Sequence, residues 1–406
     1  MSNYSKVQFI SWEIHTGPFV IGHVPAGQIG FYCGLCNLTS DRRTDALGQC
    51  WDIDARLLFV GDAISKASAL VDNAPTTLKV FLAPEFLFRG AGGAYLHDLL
   101  NGWSGPAPTE FGLPAPYSNN WPGLFGGLQA IANNAKYENW LFVFGTAISA
   151  SFPTRQASSG KYLLDPSQPG EVYNTALIQR GGAGHTADSY AARKHYISGI
   201  DFLTWYASAG EAAHIAGSVL PIDQSAIIPA DVMGVPEGGA TFSIPNINDA
   251  TGAATAFGIE VCLDHARSGG NAANKYGRLR TANQSVKIQL VPSGGMSLQD
   301  SSIRLLPAIG PTPHSYAFNC DGLGNLAAPW AGSHTQIWNG KNGDVVPPAN
   351  KLVEASGGAA LAGTQLAAVA NHVNLPHGSV TDAMLWNNGN GTQGAGHVRV
   401  CTPLAL

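Results

Sequence analysis

Apolar and polar positions along this chain follow two alternating periods. Leu57, Val60, Ile64, Ala67 and Val71 recur at spacings of three and four, the repeat of a helix with one buried stripe, and Asp52 or Asp54 stands where a cap would. The apolar run 80–83 follows directly and predicts a buried strand. The unit then repeats: Pro122 suits a first helical turn, Leu124, Leu128, Ile131 and Ala135 keep helical spacing, and a strand is expected over 140–145. Two helix-then-strand units in succession predict an α/β layer. Further strands are expected over 172–179, 256–262, 286–291 and 315–318, and a helix over 361–373. The pattern alone leaves parallel, antiparallel and mixed pairing open.

Two stretches interrupt this order. Residues 90–122 are rich in Gly, Pro and Ser, and residues 205–254 hold no sustained period, so both read as long loops or small excursions. A Pro/Gly-rich region with turn signals begins at 347. The expected organisation is one domain over 1–346, with insertions near 90–122 and 205–254, and a C-terminal extension over 347–406 at a subunit interface.

Composition narrows the classes of function. At 406 residues and 45% hydrophobic the chain can bury a full core. Only 12% of residues are charged, against about 25% in ordinary domains, so few surface charges keep copies apart and a homo-oligomer is expected. The net charge of −5, with no cluster of Lys and Arg, argues against nucleic acid. The longest charge-free apolar run, 140–152, falls short of the roughly 20 residues that span a bilayer, so no membrane association is expected. The first six residues are polar and the next stretch is broken by Glu13, His15, Gly17 and Pro18, which is not the pattern of a cleaved signal.

The candidate chemistry lies in three segments: Pro84-Glu85 after the 80–83 run, Arg193-Lys194-His195, and Gly258-Ile259-Glu260-Val261-Cys262 followed by Leu263-Asp264. A carboxylate, an ammonium and a thiol are the groups needed to hydrolyse a carbon–nitrogen bond through a thioester. A free thiol, with a pKa of about 8.5, is mostly protonated at neutral pH, so it needs an acceptor or a nearby cation. Glu85, placed after an apolar strand, is the expected acceptor, because partial desolvation strengthens a carboxylate as a base. A fixed cation such as Lys194 stabilises the charge that attack places on the substrate oxygen or nitrogen.

The order Glu, Lys, Cys in these contexts resembles the nitrilase (carbon–nitrogen hydrolase) superfamily. In that family a strand ends in Pro-Glu, a Tyr-Asn-Thr strand and a glycine turn precede the Lys, and a Gly-containing apolar strand delivers Cys followed closely by Asp. Here Tyr173-Asn174-Thr175 and Gly181-Gly182 stand before Lys194. The resemblance covers about residues 53–320. It implies a four-layer α-β-β-α sandwich, a Cys262 nucleophile, a Glu85 base, and an oxyanion site made by Lys194 and the backbone N–H of Leu263. It also implies a small-molecule amide, N-carbamoyl compound or nitrile as substrate, with no cofactor and no metal. After Cys262 the chain reads Leu-Asp-His rather than the Cys-Trp-Glu of true nitrilases, which favours amide or carbamoyl hydrolysis over nitrile hydrolysis. Where the family often carries a further Glu after the Lys, this chain has Asp201, which could orient a neighbour.

Other readings compete. Glu260, two residues before Cys262, would share its face on a strand and is a rival base. His265 could activate the thiol as a Cys-His pair or line a substrate pocket with Tyr95, Trp103 and Trp121. Arg267 and Arg89 could pair with a substrate carboxylate. Cys33 and Cys36, with Cys50 and His23, form a lone C-x-x-C that reads as reduced structural cysteines rather than a zinc site. Few cysteines and a thiol nucleophile suit a reducing, cytoplasmic location. The competing class of function is a non-catalytic amide-binding protein of the same fold.

Overall fold

The computed structural model describes residues 2–16, 46–90, 94–151, 154–156, 162–164, 171–196, 231–232, 235–236, 239–266, 276–307, 314–322, 334–340, 350–356, 358–386 and 395–406. Among them, most strands fall into two large sheets. The first has nine strands, with a main path in the order Thr364–Ala368, His397–Cys401, Lys6–Glu13, Thr77–Leu82, Trp140–Ser151, Glu171–Arg180 and Ser189–Arg193. The second has six, in the order Thr241–Phe242, Phe257–Ile259, Ile288–Ser293, Tyr316–Asp321, His334–Asn339 and Asn350–Ser356. Both are mixed. Parallel pairs at the centre, such as Lys79 against Trp140 and Gly258 against Gln289, are flanked by antiparallel ones.

Period-two alternation puts apolar side chains on both faces of the central strands, which is why those segments read as unbroken apolar runs. Val80 and Leu82 face inward with Phe9, Leu141, Val143 and Ile178, and meet Phe257, Ile259, Leu290, Phe318 and Ile337 of the second sheet. Phe81, Phe142 and Phe144 face outward, where they pack on Ile53, Phe59, Val60 and Ile64 of the helix Ala46–Ser68 and on Leu124 and Leu128 of the helix Gly123–Ala132. The outer face of the second sheet is covered by Leu279, Leu298, Ile303 and Leu305, on and around the short helix Arg278–Thr281 and the 3-10 turn Asp300–Ser302. The fold is an α/β sandwich.

Several elements depart from the pattern-based expectations. The first helix begins at Ala46, so Asp52 and Asp54 are not caps. Asp52 is buried inside it, paired with Arg56 one turn later at 2.7 Å. The 361–373 segment is not helical. It forms the strands Thr364–Ala368 and His372–Leu375, because backbone pairing of Thr364 with Cys401 through Ala368 with His397 overrides the helical propensity of its alanines. Residues 94–122 are a packed excursion: Tyr95–Leu96 pairs with Trp140–Ser151, and Leu99, Leu100, Tyr117 and Trp121 are buried. Tyr95, Trp103 and Trp121 serve that packing, with the Tyr95 hydroxyl on Asp52 and the indoles of Trp103 and Trp121 5.2 Å apart. Residues after 347 supply strands to both sheets.

Candidate active site

The strand Thr77–Leu82 ends at Ala83-Pro84, and Glu85 follows at the edge between the sheets. Its backbone N–H donates to Ser293 O, at the end of a second-sheet strand, at 3.3 Å, and its carbonyl accepts from Thr16 Oγ1. Phe86 adopts a left-handed backbone (φ 64°) that few non-glycine residues take. That turn is held by Phe86 N–H on Thr146 Oγ1 at 2.9 Å and by Phe88 N–H on Thr146 O at 3.0 Å. Leu87 O accepts from Arg56 Nη1 at 2.6 Å and from Trp386 Nε1 at 2.9 Å. Close approach here requires glycine twice. A Cβ on Gly145 would lie 2.2 Å from Pro84 O, and one on Gly294 would lie 2.7 Å from the Phe86 ring and 3.2 Å from Glu85 Oε2.

The buried Glu85 side chain is met from the first sheet. Lys194 Nζ and Asn174 Nδ2 both donate to Glu85 Oε1 at 2.8 Å, and the ion-paired side chains are 0% and 1% exposed. Lys194 directly follows the strand Ser189–Arg193, and its own N–H donates to Asn174 O at 2.8 Å, so one residue of the neighbouring strand fixes both its backbone and its partner.

Cys262 opens a 3-10 turn, Cys262–His265, just past the strand Phe257–Ile259. It is 3% exposed and also left-handed, with φ 49°. Two side chains flanking it brace that conformation. His265 Nε2 accepts the Gln299 N–H at 3.0 Å, so the ring proton sits on Nδ1, which donates to Glu260 Oε2 at 2.7 Å. Glu260 also accepts from Leu279 N at 2.8 Å and Gln289 Nε2 at 2.7 Å, on the outer side of the second sheet. Ile259 and Val261 face the inner core, and Cys262 lies beyond the strand, so Glu260 does not share its face. Both nitrogens of His265 are occupied, which leaves it no lone pair for a thiol.

Asp264 connects this turn to the lysine. Its Oδ1 accepts the N–H groups of His195 at 3.0 Å and Tyr196 at 2.9 Å, and Arg278 Nη1 lies 3.4 Å from Oδ2. Burial pushes its carboxyl up to about 6, against the pull of Arg278, the Tyr196 N–H and Lys194. His195 is 1% exposed, and neither ring nitrogen has a hydrogen-bond partner among the described residues. Burial, with Arg278 and then Arg193, holds its pKa down to about 3, so the ring is neutral at physiological pH.

Of the sequence-predicted residues, Glu85 and Lys194 meet directly, and Cys262 and Leu263 lie on a turn tied to the residues just after Lys194. Glu260 and His265 pair with each other. Arg89 is buried with its guanidinium 4.2 Å from the Phe86 ring centroid. Arg267, Asp201, Cys33, Cys36 and His23 lie outside the described residues. Among the described residues no group of three or more His, Cys, Asp or Glu could hold a metal, and no helix is long and apolar enough to cross a membrane. Asn174 and Asp264 stood inside the motif strings without an assigned role. The signal for Asn174 was a polar side chain in the middle of an apolar strand, and buried polar groups require partners.

These features define an α/β sandwich with a buried carboxylate–ammonium pair at the seam of its sheets and a left-handed cysteine on an adjoining turn. No protein-family model matches the chain, and no curated protein does. Among solved structures, an N-terminal amidase with a Gln-Val peptide overlaps 71% of this chain and 48% of its own, at 10% identity and TM-score 0.28. An N-terminal amidase with an Asn-Glu-Ala peptide overlaps the same shares at 11% identity and TM-score 0.29. This chain thus spans about half the length of those proteins. Overlap this slight carries no functional weight, and the chemistry rests on the site itself.

Proposed function

We propose that this protein hydrolyses the non-peptide carbon–nitrogen bond of a small amide or N-carbamoyl compound through a thioester on Cys262. The supporting observation is the pair at 0% and 1% exposure, Lys194 Nζ to Glu85 Oε1 at 2.8 Å, next to a lysine loop that Asp264 fastens to the cysteine turn. A charge pair costs several kcal/mol per ion to desolvate; what sets this one apart from the buried pairs Asp52–Arg56 and Glu13–Arg399 is its place beside the cysteine turn, which fits a chemical role.

Glu85 Oε1 already accepts two hydrogen bonds, so Oε2 is the better proton acceptor. In the proposed cycle the Cys262 thiol proton passes to Glu85, and the sulfur attacks the carbonyl carbon to form a C–S bond. The oxyanion is held by Lys194 Nζ and the N–H of Leu263. Glu85 returns the proton to the nitrogen, the C–N bond breaks, and amine or ammonia leaves. Water then loses a proton to Glu85 and attacks the thioester. The C–S bond breaks, acid is released, and the proton on Glu85 goes back to sulfur. Loss of one oxyanion donor typically costs about 3–4 kcal/mol of barrier, so Lys194→Ala should lower kcat at least 100-fold.

Low charge density supports a homo-oligomer, which light scattering would show as a multiple of 42.4 kDa and a monomer mass would refute. The need for a reduced thiol supports a cytoplasmic location, read out by fractionation of cells expressing the chain. The deciding experiment follows ammonia release from a panel of small amides, nitriles and N-carbamoyl amino acids, with mass spectrometry of trapped protein. An acyl adduct on the Cys262 peptide, and loss of turnover in a folded Cys262→Ala variant, are expected. Turnover indifferent to that variant and to iodoacetamide would remove the proposal.

A further inference from the structure

Asn174 lies in the middle of the strand Glu171–Arg180, is 4% exposed, and touches the reacting carboxylate. Its orientation is determined by chemistry: only its Nδ2 can donate to the acceptor-only Glu85 Oε1, at 2.8 Å. Oδ1 of the same carboxamide therefore points the other way. That atom is buried and has no hydrogen-bond partner among the described residues. Buried carbonyl oxygens are nearly always paired, and one left open beside a general base is suited to receive a donor that arrives with the substrate.

We infer that Asn174 is a specificity residue whose Oδ1 accepts an N–H of the scissile nitrogen, so that the site selects primary or secondary amides and carbamoyl groups over esters, tertiary amides and nitriles. The inference rests on the thioester reading above and deepens it. When the sulfur has added to the carbonyl, the departing nitrogen must turn its lone pair toward the proton held by Glu85. An N–H held by Asn174 Oδ1 sets that rotation, because the same side chain is fixed to Glu85 through Nδ2. An ester oxygen or a dialkylated nitrogen has no such hydrogen, and a nitrile has none before it is attacked. In each case the carbonyl oxygen of Asn174 stays buried and unmet.

The test uses one acyl group throughout: propionamide, N-methylpropionamide, N,N-dimethylpropionamide, methyl propionate and propionitrile, with the full-length chain. Wild type should turn over the first two and leave the dimethylamide and the nitrile at least 100-fold slower in kcat/KM. In Asn174→Ala the ratio of propionamide to methyl propionate should fall at least tenfold, since the ester never used the contact. Equal losses for amide and ester would overturn the inference, assigning Asn174 only to holding Glu85. Should that variant not fold, the N-methyl against N,N-dimethyl comparison in wild type decides alone, and similar rates overturn the inference. Acylation of Cys262 by the ester but not by propionamide would overturn it while leaving thioester chemistry intact, whereas no adduct from any of the five would overturn both.

Discussion

Two neighbouring buried groups pull the acid stability of this protein in opposite directions. Asp264, raised to about 6 mainly by burial, binds its proton more tightly in the folded chain than in the unfolded one, where a carboxyl titrates near about 3.9. Its contribution is full below that unfolded value and is lost as pH rises through about 6. His195, lowered to about 3 by burial, Arg278 and Arg193, refuses a proton that the unfolded chain accepts below about 6.5. Its contribution is full above that value and is lost as pH falls toward 3, and His15, held down to about 4, acts in the same sense. Replacing His195 with Gln removes one arm of this balance. Urea unfolding should show His195→Gln gaining stability relative to wild type at pH 4.5 and losing that gain by pH 7. An unchanged difference across that range would mean that His195 is not held neutral by its surroundings. None of this was legible along the chain. The sequence shows which residue types stand at strand ends, and so marks Glu85, Lys194 and Cys262. The partners that give Asp264, Asn174 and His265 their roles are backbone groups or side chains that only the folded sheets bring near.

Among elements, legibility tracked burial. The strands expected around 80–83, 140–145, 172–179 and 315–318 are present and longer, that expected over 286–291 lies two residues further on at Ile288–Ser293, and that expected over 256–262 shortens to Phe257–Ile259; two-sided burial is what makes such segments predominantly apolar. The edge strand Thr364–Ala368 is half-exposed and Ala-rich, so its local propensity points to helix while its partner strand, 29 residues further on from Ala368 to His397, decides otherwise. The short helix Asp382–Trp386 was not anticipated, yet it reaches the candidate site, since Trp386 Nε1 shares Leu87 O with Arg56. Trp386→Phe keeps an aromatic ring in place but removes one hydrogen bond, worth about 1 kcal/mol, and leaves a small void where the rest of the indole packed. The melting temperature should fall by a few degrees, and kcat should fall several-fold with KM little changed, because Leu87 O, on the turn that carries Glu85, loses one of its two donors. Unaltered kcat in a variant with the lowered melting temperature would show that the Leu87 anchor does not govern Glu85.

At the scale of the whole molecule, the first sheet is joined by a strand from the far end of the sequence. His397–Cys401 inserts between Thr364–Ala368 and Lys6–Glu13, and Arg399 there meets Glu13 in a pair whose side chains are 0% and 1% exposed. The network continues across the sandwich, since Glu13 Oε1 accepts from Thr335 Oγ1 of the second sheet at 2.6 Å, and Arg399 also donates to Ala359 O at 2.9 Å and Thr364 Oγ1 at 3.0 Å. One ion pair therefore joins the strands Lys6–Glu13 and His397–Cys401, far apart in sequence, to the opposite sheet. Removing the cation alone leaves a carboxylate in the core, which typically costs about 3–5 kcal/mol, whereas replacing both partners with apolar residues of similar volume is often close to neutral. Arg399→Met should accordingly lower the urea midpoint sharply, and Glu13→Leu combined with Arg399→Met should recover much of the loss. If the double variant is as unstable as the single one, the sandwich depends on the hydrogen bonds that Arg399 makes to Thr364 and Ala359 rather than on neutralising Glu13. The two variants thus separate the electrostatic part of this junction from its geometric part, and both are read in one denaturation series.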